Sequence, residues 1–181
     1  YILNQIVALK KHHDVLAVSP LPYFPSWLPI SSYADYASIP PCDDFMGVEI
    51  RYPRFFMIPR VLRFLHGKMQ ALSLRRYMGR IARQFAPDVI LAFSAFPDGA
   101  GAVQLGRMLD IPVAVGVIGN DINFKARKGL RRRVIRSALL ESAAVLTVCR
   151  DLKDSVVALG IPPGKVSVIP NGINPEMFSS M

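Results

Sequence analysis

The sequence is short of cysteine, histidine and tryptophan, with two, three and one in 181 residues. Cys42 and Cys149 stand far apart, in neither a Cys-x-x-Cys nor a His-x-Cys setting. That argues against a thiolate metal site or redox pair and suits a reducing cytoplasm. His12, His13 and His66 have no ligand spacing and are assigned no role. Long apolar runs are also lacking. A run such as 111–118 is broken by Pro112 and Gly116, and it falls well short of the ~20 residues needed to span a bilayer. Acidic residues are missing from one stretch: between Arg51 and Arg83 there are nine Lys and Arg and no Asp or Glu.

What is present is a chain 51% hydrophobic and 19% charged, with a formal net charge of +9. Its length and apolar fraction suit one ordinary domain with a full core and exclude general disorder. The basic excess is local. One cluster is Arg51, Arg54, Arg60, Arg63, Lys68, Arg75, Arg76, Arg80 and Arg83; the other is Lys125, Arg127, Lys128, Arg131, Arg132, Arg133 and Arg136. Such clusters are either solvated helix faces or surfaces for polyanions, an anionic membrane among them. No nucleic-acid motif is present and aromatics are not interleaved with the basic residues, so nucleic acid is not expected as a partner.

Along the chain, helical and buried-strand patterns alternate. Residues 1–10 read as a helix with apolar side chains at 2, 3, 6, 7 and 9. Lacking Met and opening inside an element, the chain reads as the interior of a longer domain. A short apolar strand follows at 15–18. Residues 20–47 hold six prolines among aromatics and read as a long loop, followed by a strand at 48–52. A long amphipathic helix, with an interruption near Gly67, is expected over 61–85. Strands are expected at 89–93, 113–118, 144–148 and 166–169, separated by helices ending near 109, 141 and 159. Strands joined by helices imply right-handed crossovers and a parallel sheet. The expected fold is therefore α/β: a Rossmann-like, doubly wound parallel sheet with helices on both faces. In such sheets ligands bind beyond the carboxyl ends of the strands. That directs attention to Ser19-Pro20, Ser94–Gly99, Gly119–Asp121, Cys149–Arg150 and Pro170–Gly172.

These post-strand segments carry a resemblance. Asp88 to Gly99, ending in Pro97-Asp98-Gly99, resembles a strand and turn of family 4 glycosyltransferases, and Ile111-Pro112-Val113 resembles their entry to the next strand. Gly119-Asn120-Asp121-Ile122 is similar to their Gly-Ser-Asp-Ile/Val acceptor loop, and Val148 to Leu152 to their Val-Ser-x-x-Leu helix start. Val166 to Phe178 resembles the Ile-Pro-Asn-Gly-Val-Asp-x-x-x-Phe segment that leads into a second domain. Each motif is weak alone; the five stand in the family's order. The chain departs from the pattern at Leu91-Ala92-Phe93, where His is common, at Ile118, where Arg is common, and at Asn174 and Cys149.

The resemblance implies the N-terminal, acceptor-side half of a GT-B fold over residues 1–178, lacking its first strand, with 179–181 opening a donor-binding domain. The opening, Gln5 to Leu9 followed by Val18 to Pro22, most resembles members that build bacterial surface polysaccharides. The family resemblance implies a hexosyltransferase that retains anomeric configuration, uses a nucleotide-sugar as co-substrate and needs no metal or other cofactor. Its acceptor would be a glycan or lipid-linked molecule, and the setting cytoplasmic or at the inner face of the cell membrane. Gly119, Asn120 and Asp121 would bind acceptor, with Asp121 pointing into the cleft. Arg150, Asn171 and Gly172 would lie on the phosphate or hinge side, and no residue of this half is catalytic. An N-cap or Asx-turn role is the competing reading for Asp121. A non-catalytic basic module binding membrane or nucleic acid, and a sugar-nucleotide epimerase, stay open as alternatives.

Overall fold

The computed structural model describes residues 2–23, 36, 38–56, 63–126 and 129–172. The chain forms two compact units, Phe55–Pro170 and Tyr1–Arg54 with Asn171–Met181.

In the larger unit four parallel strands follow one another in chain order: Ile90–Phe93 (β6), Val113–Val117 (β7), Ala144–Thr147 (β8) and Val166–Val168 (β9). Ala92 pairs with Val115, Val115 with Val145, and Val145 with Val166. β7 is flanked on both sides, and its Val113, Val115 and Val117 are buried. Each crossover carries a helix: Ala100–Leu109 (α3), Gly129–Glu141 (α4) and Arg150–Ala158 (α5). Their apolar stripes supply Val103, Ile135, Leu139, Leu152 and Val156 to one core with the strand valines, as parallel strands covered by helices require. A further helix, His66–Phe85 (α2), packs on α3 and buries Ala71, Leu74 and Ile81. Close approach matters at Gly106. An added Cβ would lie 2.3 Å from Val113 Cγ2 and 2.5 Å from the Ile111 carbonyl oxygen, so only glycine lets α3 end against the start of β7.

The smaller unit holds helix Ile2–Lys10 (α1), short strands Ala17–Val18 (β1) and Leu21–Pro22 (β2), and the hairpin Cys42–Phe45 (β3) and Val48–Arg51 (β4). β4 lies between β1, which it meets in parallel, and β3, which it meets antiparallel. Val48 and Ile50 are buried while Glu49 is exposed, the alternation of a half-buried strand. Arg54–Phe55 (β5) is at the junction of the units.

Three expectations need correction. The stretch 20–47 is not all loop, because β2 and β3 lie in it. β3 escapes notice because Cys-Asp-Asp-Phe is exposed throughout and has no apolar alternation. The strand expected at 15–18 is confined to Ala17–Val18. The long helix runs unbroken through Gly67 from His66, after a tighter turn at Arg63–Leu65. Tyr1, much of the proline-rich stretch, residues 57–62, Arg127, Lys128 and the 173–181 segment lie outside the described residues.

Candidate functional site

The segments that leave the parallel strands gather at one end of the sheet, because parallel strands share a carboxyl rim. β6 exits into Ser94, which holds φ 74°, a left-handed value that is costly for a residue with a side chain. Its amide donates to the Gly116 carbonyl at 2.8 Å and its hydroxyl to the Phe96 carbonyl at 3.0 Å. The turn Ala95–Gly99 follows. β7 exits through exposed Ile118 into Gly119 at φ 106° and then the turn Asp121–Lys125. An added Cβ at Gly119 would meet nothing nearer than Asn123 Nδ2 at 4.0 Å. Glycine is needed there for backbone conformation rather than space.

Asp121 ties these two exits together. It is 0% exposed. Its Oδ2 accepts from the Ala95 amide at 2.5 Å and its Oδ1 from the Gly119 amide at 3.0 Å. Lys125 closes the other end of the same turn, its ammonium donating to the Phe96 carbonyl at 3.0 Å. A buried carboxylate is tolerable because both oxygens receive N–H groups. The side chain therefore faces loop backbone and not solvent. Neither an N-cap nor a cleft-facing group describes it. Asn120, beside it, is exposed.

Arg150 opens α5, which packs on the Asp121–Lys125 turn. Cys149 precedes it with extended backbone and makes no side-chain cap bond, and both residues are exposed. The structure thus brings Gly119, Asn120, Asp121 and Arg150 into one unit on neighbouring strand exits. Asn171 and Gly172 belong to the other unit, where Asn171 Oδ1 accepts from Gln5 Nε2 at 3.2 Å. Lys125 and Ser94 were not singled out individually from sequence. A lysine bound to a carbonyl 29 positions earlier leaves no local signal. Among the described residues, no three of His, Cys, Asp and Glu cluster as metal ligands would. No helix among them is long and apolar enough to cross a membrane.

A four-stranded parallel sheet with helices in its crossovers defines a Rossmann-like α/β domain. The chain belongs to Glycosyltransferase Family 4, whose sequence profile matches residues 1–177. It is similar to the UDP-GlcNAc 2-epimerase from Neisseria meningitidis bound to UDP-GlcNAc, at 14% identity and TM-score 0.50, over 90% of this chain and 41% of that one. It is also similar to the apo form of the lipopolysaccharide outer core galactosyltransferase WaaB, at 15% identity and TM-score 0.49, over 69% and 31% of the two chains. A third is the UGT73P12 of Glycyrrhiza uralensis complexed with glycyrrhetinic acid 3-O-monoglucuronide, at 14% identity and TM-score 0.49, over 93% and 45%. The chain spans less than half the length of each. At 14% identity the likeness to the epimerase is one of fold alone. No curated protein matches the chain significantly.

Proposed function

We propose that the intact protein transfers a sugar from a nucleotide-sugar to a hydroxyl of a glycan or lipid-linked acceptor, in cell-surface polysaccharide or glycolipid synthesis on the cytoplasmic side. Retention of anomeric configuration and independence from metal come with the family reading. The observation that carries the proposal is the pinned β7 exit. Asp121 holds Gly119 and exposed Asn120 against the β6 exit, so a polar loop is preorganised on the ligand rim before any acceptor arrives. The part of Asp121 is to hold that loop, while Gly119 shapes the turn and the exposed Asn120 amide faces the acceptor. Departure of a nucleoside diphosphate requires cationic side chains and N–H groups. Arg150, exposed at the start of α5, is offered for that side. Most donor contacts are assigned to a second domain.

The test is transfer by the intact protein from a panel of uridine, guanosine and adenosine diphosphate sugars to glycolipid acceptors, with and without chelator. The expected product keeps the donor's anomeric configuration and forms equally in chelator. Asn120→Ala should raise acceptor KM roughly three- to tenfold, the worth of one hydrogen bond, with donor affinity unchanged. The resemblance in fold to an epimerase supplies the rival. Isomerisation of a nucleotide-sugar with no acceptor present would replace this reading with that one.

A further inference from the structure

One cation on the ligand rim is only partly committed to the protein. Lys125 ends the turn Asp121–Lys125 and is half-buried. Its ammonium donates to the Phe96 carbonyl at 3.0 Å, and the Ser94 hydroxyl donates to the same oxygen at 3.0 Å. A carbonyl oxygen has two lone pairs, so this one is fully used, whereas an ammonium has three N–H groups. Among the described residues the other two N–H groups of Lys125 meet no acceptor, and Lys125 is in no ion pair.

Carboxylates stand close by in the chain, and each is occupied elsewhere or turned to solvent. Asp121 belongs to the same turn, but its oxygens receive the Ala95 and Gly119 amides. Asp98, on the turn that leaves β6, receives Gln70 Nε2 at 2.8 Å. Asp151 and Asp154, on the adjoining α5, are exposed.

The bond to Phe96 fixes where the charge sits. An ordinary surface lysine swings on a flexible stem and is screened by salt. Here the ammonium is tied to a carbonyl 29 positions earlier in the chain, and so is held between the exits of β6 and β7. Keeping a charge partly out of water is unfavourable unless an opposite charge or hydrogen bonds offset it. Phosphate or carboxylate oxygens on a ligand would supply both. Exposed Asn120 begins the same turn. At about 1.5 Å of rise per residue the two backbones are under about 10 Å apart, within the span of one sugar and its substituent.

We propose that Lys125 is a specificity residue for the acceptor, contacting a phosphate or carboxylate group carried beside the sugar that Asn120 binds. This rests on the transferase reading and adds to it the charge of the acceptor. The substrate is an acidic glycan or a sugar joined to its lipid through phosphate, and not a neutral glycoside.

The experiment compares three alkyl glycosides of a sugar that the intact protein accepts: one neutral, one joined to its alkyl chain through phosphate, and one oxidised to the uronate. Acceptor and donor KM are measured for the parent, Lys125→Met, Lys125→Arg and Ser94→Ala, with melting curves to establish that each is folded. The parent should use one anionic form at a KM about tenfold or more below the neutral form, the worth of a charge-assisted hydrogen bond. Which form is preferred tells phosphate from carboxylate. Lys125→Met should abolish the preference, with KM for the neutral form within about threefold of the parent's, less than one hydrogen bond to a charged group contributes, and donor KM unchanged. Lys125→Arg keeps a cation and should keep most of the preference. Ser94→Ala removes the other donor to the Phe96 carbonyl without changing charge, so its effect should be the same on all three acceptors. An equal rise in KM for charged and neutral acceptors in Lys125→Met would reduce the lysine to a fastener of the loop and overturn the proposal. So would a rise confined to donor KM, a preference that survives Lys125→Met, or a parent indifferent to both anions. Absence of transfer to every acceptor would instead remove the transferase reading, and this inference with it.

Discussion

The Asp121 carboxylate and the Ala95 amide, 26 residues apart, meet at 2.5 Å with Asp121 sealed from solvent. Through this bond the exits of two adjacent strands become one rigid unit. An acceptor-contacting carboxylate and a loop-holding one make opposite predictions for stability. Asp121→Ala leaves the buried Ala95 amide without a partner and should cost about 1–3 kcal/mol. Asp121→Asn keeps one acceptor oxygen for one of the two amides and should fall between that variant and the parent. Chemical denaturation of the intact protein measures both. An Asp121→Ala protein as stable as its parent would return the side chain to the cleft.

This residue also marks where legibility in the sequence ends. Its position on the exit of a buried strand follows from Val113–Val117 and the glycine after it, because a five-residue apolar run has few structural options. Its orientation depends on the Ala95 amide, a group every residue but proline has, and nothing in residue identity flags which amide is used. The same division holds for the fold. From Ile90 onward, β-branched runs alternate with helical spacing and the elements fall within a residue or two of expectation. Before that, β2 is two residues long and β3 is two aspartates between cysteine and phenylalanine. β2 is held by pairing with β5, distant in the chain, and β3 by a hairpin to β4 with no apolar alternation of its own, and periodicity registers neither.

Buried polar atoms are not all put to use. Gln70 is 3% exposed; its Nε2 donates to Asp98 Oδ1 at 2.8 Å while its Oε1 has no partner among the described residues. Replacing it with methionine removes one hydrogen bond and one unmet acceptor, and the half-exposed Asp98 can turn to water. The two effects are of similar size, so Gln70→Met should alter stability by no more than about 1 kcal/mol. A loss above roughly 2 kcal/mol in denaturant titration would show that the amide carries more of the α2–α3 packing than its single bond indicates.

Two arginines of the larger unit offer a contrast in electrostatics. Arg107 faces Glu141 at 3.7 Å with side chains 73% and 44% exposed, and such pairs contribute about 0–1 kcal/mol. Arg136 donates to the Leu159 carbonyl at 2.9 Å, at the end of α5, where a cation also meets the negative end of the helix dipole. Arg107→Ala should therefore leave the melting curve nearly unmoved, and Arg136→Ala should cost about 1 kcal/mol. Reversal of that order would mean that the surface pair, not the helix-end bond, holds α4 in place.

Gly119 and Gly129 isolate the proposed acceptor loop from general stability. Both have positive φ, 106° and 76°, and neither has a described neighbour within 4 Å of an added Cβ apart from Asn123 Nδ2 at 4.0 Å from Gly119. Substitution by alanine thus costs only backbone strain, about 1–2 kcal/mol at each. Their stability losses should be alike, and their kinetics should not. Gly119→Ala displaces the backbone beside Asn120 and should raise acceptor KM with donor affinity kept, whereas Gly129→Ala, at the start of α4, should leave KM unchanged. Parallel stability losses with no difference in acceptor KM would detach the β7 exit from acceptor binding.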